Sequence, residues 1–334
     1  MAFRNLVRRA LFFVGRHRAY GIALLTGVTV GMVTWVNPEF IAWENWRDLL
    51  VQAAPVAIIA CGVMLVVLTA EIDISVGSMM GVLAALLGVL TSPSHFGWPV
   101  PVVAPVVVLV GGLLGAFNGL LVAYGRVPSI IVTLGMLTAL SGVTELVLGG
   151  EWITDLPQSL RFLGIGNVLG VPVAIVAAVI VVSVTVVLLR MTPVGMRIYA
   201  VGSNEVAAQY AGIPVRRIKL MTFCWTGALV GIAVLVSAPQ LSVIEAGFGG
   251  GYELLVVTCV VVGGVAISGG EGSVSGVLLA TILMTMISTV LIFLRLGENA
   301  TYWSRAIQGL FILGAVLLDR AVKQLRQSEA GGQP

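Results

Sequence analysis

Apolar residues run through this chain in long blocks, broken by short polar interruptions that rarely last more than a dozen positions. A helix crossing the hydrocarbon of a bilayer needs about 20 predominantly apolar residues, with a range of about 17–25. The blocks predict ten spans, at roughly 19–36, 49–69, 75–91, 101–124, 129–148, 171–190, 218–239, 252–267, 273–294 and 303–319. The third and eighth are short. They read as candidates for broken or re-entrant helices, which hydrocarbon tolerates only where protein shields the backbone. The expected fold is therefore an all-α polytopic membrane protein forming one transmembrane unit over residues 1–334.

Composition agrees with the pattern. The chain is 58% hydrophobic and 10% charged, with mean hydropathy +1.07. A soluble domain holds about 45–50% apolar and about 25% charged residues, and could not bury this much apolar surface in a core of its own. The first block follows Arg4, Arg8, Arg9, Arg16 and Arg18 as a signal peptide would. Its length and the lack of a small-residue cleavage site favour an uncleaved first helix.

Ten spans starting inside place both termini inside. Of the 18 Lys and Arg residues, fourteen then fall on the inner side, and only Arg47, Arg161, Arg295 and Arg305 fall outside. Cytoplasmic loops carry this excess of positive charge. Trp35, Trp43, Trp46, Trp98, Trp152 and Trp303 fall near predicted outer ends, where amphipathic indoles favour the interface.

Several chemistries lack the residues they need. The only lysines, Lys219 and Lys323, are not followed by Ser or Thr, so there is no phosphate-binding Walker A loop. GGEGSVSG at Gly269–Gly276 reads as a tight interhelical turn. His17 and His95 lie far apart, no HExxH occurs, and no carboxylates pair at helical spacing within a span, so metal and glycosidase sites have no support. Cys61, Cys224 and Cys259 sit singly in apolar runs and read as small buried hydrophobes. Asn299-Ala300-Thr301 fits a glycosylation acceptor, relevant only in a eukaryotic secretory pathway.

Two internal patterns concern packing. Gly111, Gly115 and Gly119 clear one helix face for close approach, either within the chain or between subunits. The pattern GSxxGVL occurs at Gly77–Leu83 and again at Gly272–Leu278, consistent with an internal repeat or with coincidence.

One stretch stands out from the apolar background: TPVGMRIYAVGSNEVAAQYAGIPVRRIK, Thr192–Lys219. Ser203 is a favoured N-cap, Glu205 suits the positive end of the helix dipole, Gly212 suits a left-handed C′ position, and Pro214 prevents continuation. The predicted two-turn helix, Asn204–Ala211, places Val206, Ala207, Tyr210 and Ala211 on one face. So short a helix is marginal alone and should depend on docking. It docks either on the protein's own inner face or in a partner's groove ringed by Arg197, Arg216 and Arg217.

GSNEVAAQYAGIP resembles the coupling-loop motif of the permeases of ATP-binding-cassette importers. EIDISVGS, Glu71–Ser78, and GYELLVVTCVVVGGVAISGGEGSVSG, Gly251–Gly276, are similar to segments of the ribose-type sugar permeases. GGEWITDLP, Gly149–Pro157, looks closest to the rhamnose and autoinducer-2 branches. Ala266-Ile267 departs from the pattern, since many relatives have a small polar residue there. The resemblance implies a permease dimer, a second copy or a homologue, with a separate ATPase subunit of two nucleotide-binding modules on the cytoplasmic side. It also implies a periplasmic sugar-binding protein outside, membrane lipid around the spans, no nucleic-acid partner, no cofactor and no enzymatic activity of the chain's own. It places the protein in a bacterial inner membrane.

The coupling residues it implies, in the loop at about 191–217, are Gly202, Asn204, Glu205, Ala207, Ala208 and Gly212, to which the capping and the apolar face add Ser203 and Tyr210. Asp73, Ser75, Asn118 and Glu145 are candidates for a translocation path or gate, because intramembrane polar residues mark such paths. Each also has a plainer role: capping for Asp73, an interhelical hydrogen bond for Asn118, snorkelling to water for Glu145. The alternative reading is an ion-coupled secondary transporter or channel, but such carriers hold several buried ionisable groups near the midplane and this chain offers few.

Overall fold

A computed structural model describes residues 18–241, 243–294, 303–314 and 317. The N-terminal arginines before Arg18, the segment with Arg295, Glu298 and Asn299, and the C-terminal basic residues lie outside the described residues, as do positions 315, 316, 318 and 319 of the final predicted span. Within these limits the fold is helical. In chain order it comprises α1 (Arg18–Val36), α2 (Trp43–Leu68), α3 (Val76–Thr91), α4 (Val100–Ala123), α5 (Ser129–Leu148), α6 (Gln158–Ile165), the two-residue strands β1 (Asn167–Val168) and β2 (Val171–Pro172), α7 (Val173–Met191), α8 (Pro193–Ser203), α9 (Glu205–Tyr210), α10 (Val215–Ser237), α11 (Tyr252–Val262), α12 (Val274–Phe293) and α13 (303–314).

Among the described residues, six helices, α2, α4, α5, α7, α10 and α12, are long and apolar enough to cross a membrane; α3, α11 and the apolar part of α1 are shorter. α2 is the axis of the bundle, buried at every position from Ala53 to Leu68. The outer faces of α1, α4, α5 and α7 instead expose large apolar side chains such as Leu24, Met32, Leu109, Ile131 and Ile180. That pattern fits lipid as the surrounding solvent. Buried Thr91, Thr144, Thr185, Thr226 and Thr281 each donate their hydroxyl to the carbonyl four residues earlier, so these polar atoms are satisfied within their own helices.

The glycine stripe proves intramolecular. Gly111, Gly115 and Gly119 of α4 face Gly227, Phe223 and Leu220 of α10; a Cβ on Gly115 would fall against the Phe223 carbonyl, and one on Gly231 of α10 would lie 2.8 Å from the Val108 Cα. Gly115→Leu is expected to cost about 1–3 kcal/mol or more, because the obstructing atoms are backbone and cannot rotate away. A drop in midpoint temperature of the detergent-solubilised protein would show it.

Of the two short candidate spans, 75–91 forms one uninterrupted helix, α3, and 252–267 forms only the shorter α11. α3 is preceded by an irregular, partly buried strap at residues 69–75. α11 has only 11 residues, with irregular chain on both sides at 243–251 and 263–273. The 244–251 stretch follows α3 inward from the end that carries α6, with Ile244 against Gly88, Phe248 against Gly81 and Gly249 against Gly77. The two GSxxGVL segments differ in role. The first lies inside α3, whereas in the second Ser273 caps α12, its Oγ accepting from the Gly276 N–H. The shared residues thus stand in different registers to their helix starts.

At the end of the bundle away from α9, Ile153 and Ile244 form a β-bridge, and the Ser92 hydroxyl donates to Asp155 at 2.7 Å. Hydrogen bonds from Ser92 and Ser94 hold the Asp155 carboxyl down at about 2, below its usual 3.8. With the folded value depressed, the clasp's contribution is complete above the ordinary carboxylate range and is lost as pH falls toward about 2. Emission from the neighbouring Trp152 is expected to stay flat from neutral pH to about 4 and change below it, a step that Asp155→Asn should abolish.

Candidate coupling site

The polar stretch at Thr192–Lys219 folds into α8, α9 and the start of α10. Thr192 caps α8, its Oγ1 accepting from the Gly195 N–H, and Pro193 supplies the first turn. α8 buries Ile198 and Val201 and settles on the Gly-rich loop before α12. The Tyr199 hydroxyl donates to the Gly272 carbonyl at 3.0 Å. Gly202 lies flush against the Leu68 carbonyl at the foot of α2 and against Gly270, whose N–H donates to that same carbonyl at 3.0 Å. Gly269 and Gly270 hold φ of 80° and 76°, which lets the loop approach this closely. GGEGSVSG is thus a saddle for α8.

The cap of the miniature helix lies one residue later than expected. Ser203 remains in α8, because the Asn204 N–H still donates to Ala200. Asn204 then turns extended, at φ −160°, and its Oδ1 accepts from the Ala207 N–H at 2.9 Å. Both residue types cap well, and the helical bond of α8 decides between them. At the far end Gly212 adopts φ 78°, and the Ile213 N–H reaches back to Ala208, closing the helix as anticipated.

Only Ala208 of α9 is buried. Val206 is 60% and Tyr210 89% exposed, with Ala207 and Ala211 beside them, so this face is not covered by the chain's own described residues.

Beneath α9 lies an ion triad that links it to the bundle. Lys219 Nζ donates to Glu205 Oε2 at 2.8 Å and to Glu71 Oε1 at 2.7 Å; the side chains of Lys219, Glu71 and Glu205 are 11%, 15% and 47% exposed. Glu71 lies in the strap before α3. One residue on, the Ile72 N–H donates to Ser129 Oγ at the start of α5. The strap then holds a second polar cluster, fully buried. Asp73 Oδ1 accepts from the Ser75 N–H at 2.9 Å and from the Ser75 hydroxyl at 2.6 Å, and Asn118 Nδ2 of α4 donates to Ser75 Oγ at 2.9 Å. The structure thus brings together Asp73, Ser75 and Asn118, three of the four path candidates. Asp73 Oδ2 and Asn118 Oδ1 have no hydrogen-bond partner among the described residues. Glu145 stands apart, exposed in the last turn of α5.

Glu71 and Lys219 escaped sequence reading as site residues. The available signal was scarcity: a lysine five residues into an apolar helix needs an anionic partner to be buried. Glu253 also escaped. It sits in the first turn of α11 against Gly77 of α3, its carboxylate accepting from the Gly251 N–H.

The family described as branched-chain amino acid transport system / permease component matches residues 45–316. The chain belongs to this family. It is 37% identical over 302 residues to the ribose import permease protein RbsC of Haemophilus influenzae, covering 89% of this chain and 91% of the relative. It is 35% identical to the autoinducer 2 import system permease protein LsrC of Enterobacter sp., covering 88% and 84%, and 32% identical to LsrC of Escherichia coli K12, covering 92% and 89%. No solved structure matches the chain. The protein is a membrane permease component rather than an enzyme. The relatives are named as parts of import systems, which disfavours a stand-alone ion-coupled carrier.

Proposed function

We propose that this chain, as one transmembrane unit over residues 1–334, imports a monosaccharide-like solute, a pentose, deoxyhexose or autoinducer-2-like sugar, across the inner membrane of a bacterium. Both termini are cytoplasmic. It pairs with a second permease copy or homologue, receives solute from a periplasmic sugar-binding protein, and is driven by an ATPase subunit with two nucleotide-binding modules. The ribose and autoinducer-2 relatives, matched over most of their length, support the solute class.

The observation that carries the coupling role is a short helix whose apolar face is uncovered while its root is pinned by Lys219. ATPase closure would displace α9 through Val206, Ala207 and Tyr210. Gly202, Ser203, Asn204, Glu205, Ala208 and Gly212 would hold that helix in shape and on its saddle. Glu205 and Lys219 would pass the displacement to Glu71, and the strap would pass it to α3, α4 and α5, where Asp73, Ser75 and Asn118 form the inner gate. Glu145 would lie on the outer part of the path. Coupling of this kind needs an element with two arrangements, and the irregular strap between α2 and α3 is the segment able to take them.

Proteoliposomes containing the permease, its ATPase and its binding protein should accumulate radiolabelled ribose or autoinducer-2 only with ATP inside. Uptake by the permease alone without nucleotide would refute the assignment.

A further inference from the structure

Beside the ion triad, a cleft of about 780 Å³ opens between the end of α4, the start of α5, α9 and the start of α10. Its floor is Glu71, Lys219 and Glu205, which together carry one residual negative charge. Its rim carries Arg126, Arg216 and Arg217, three guanidinium groups with no carboxylate partner among the described residues. Three positive charges against one negative leave the cleft at +2. Arg216 is seated over the ring of Tyr124, its guanidinium carbon 6.0 Å from the centroid. Next in the chain to the lining residues Val122–Tyr124 and Val127–Pro128, the last turn of α4 and the first of α5 expose Leu120, Leu121, Ile130 and Ile131.

A concave cluster of unpaired guanidinium groups matches the planar, bidentate acceptors of a phosphate. An adjoining exposed apolar surface at the level of the helix ends matches acyl chains. Basic pockets between transmembrane helices at the inner interface hold anionic headgroups in this way. We propose that this cleft binds the phosphate headgroup of an anionic phospholipid, with one acyl chain lying along the α4–α5 surface. The bound lipid would sit against the Lys219 triad, so the occupant of the cleft and the root of α9 share one electrostatic environment. The inference rests on the cleft's charge and on its continuity with the apolar surface, and stands whether or not the import assignment holds.

The test uses full-length permease, delipidated in detergent and then offered equal phosphatidylglycerol and phosphatidylcholine. Native mass spectrometry should show one phosphatidylglycerol retained per chain with a preference of at least ~10-fold, the scale set by a net +2 at the interface. Arg126→Gln/Arg216→Gln should lose the preference, and Arg190→Gln/Arg197→Gln, at the same end of the bundle, should keep it. Equal retention of the two lipids by the unmodified protein would overturn the proposal, whatever the folding of the variants. So would a preference that survives Arg126→Gln/Arg216→Gln. Displacement of inorganic phosphate by phosphatidylglycerol supports the lipid source, whereas a cleft that holds inorganic phosphate and ignores the lipid refutes it. Arginine substitutions that weaken capture of an acidic protein partner, with no lipid preference in the unmodified chain, would likewise assign the cleft elsewhere.

Discussion

Lys219→Met should leave the permease folded but slow, with ATP-driven uptake down by about tenfold or more, equivalent to a loss of about 1.4 kcal/mol of coupling. The substitution strands Glu71, whose side chain is only 15% exposed, and releases Glu205, which is about half exposed. Breaking a fully buried pair costs about 3–5 kcal/mol; the half-exposed Glu205 can turn to water, so about 1–3 kcal/mol is expected here. Adding Glu71→Gln removes the stranded charge and should restore most of the lost thermal stability. It should not restore uptake, because α9 would still lack its tie to the strap. A double variant that regains uptake along with stability would show that the triad merely stabilises the fold.

Gly202→Val should be the more damaging change. Its Cβ would fall on the Leu68 carbonyl and 2.5 Å from the Gly270 nitrogen, both backbone atoms in a buried saddle. Overpacking commonly costs about 1–3 kcal/mol, and with no side chain able to yield the cost should reach or exceed the upper end. Loss of the monodisperse peak on size exclusion and of all uptake is expected. Gly212→Ala provides the contrast. Nothing lies within 4 Å of a Cβ there, and the residue bears only its left-handed φ of 78°, a penalty of about 1–2 kcal/mol. That variant should fold and retain partial uptake. If Gly202→Val transported normally, α8 would not be seated as described.

Much of the architecture was legible because lipid imposes a blunt rule: a crossing helix must be apolar for about 20 residues. The long blocks became α2, α4, α5, α7, α10 and α12. The two blocks that fell short of that length became α3, a short uninterrupted helix preceded by the strap, and α11, with irregular chain on either side. Local capping chemistry located α9 to within one residue, missing only that the helical bond from Asn204 to Ala200 extends α8 through Ser203. The chain between α5 and α7 gave no sign of α6 or of the β1–β2 hairpin, since eight residues is too short for a periodicity to assert itself.

The Glu71–Lys219 pair could not have been read locally. Its members are 148 positions apart, and only the packing of α10 against α2 and the strap brings them within 2.7 Å. The same holds for Asp73, Ser75 and Asn118. Each is polar in apolar surroundings, as Glu145 is, and only the fold shows that these three form a single cluster that Glu145 does not join.

A photo-crosslinking residue at Tyr210, compared with one at Leu169 in the hairpin of the opposite end, tests the coupling claim most directly, using the intact importer in native membranes. Both positions are highly exposed, at 89% and 101%. The Tyr210 probe is expected to capture the ATPase subunit, in a yield that changes with bound nucleotide, and the Leu169 probe is expected never to do so. Capture of the ATPase from Leu169, or none from Tyr210 in an importer that still takes up solute, would contradict that claim.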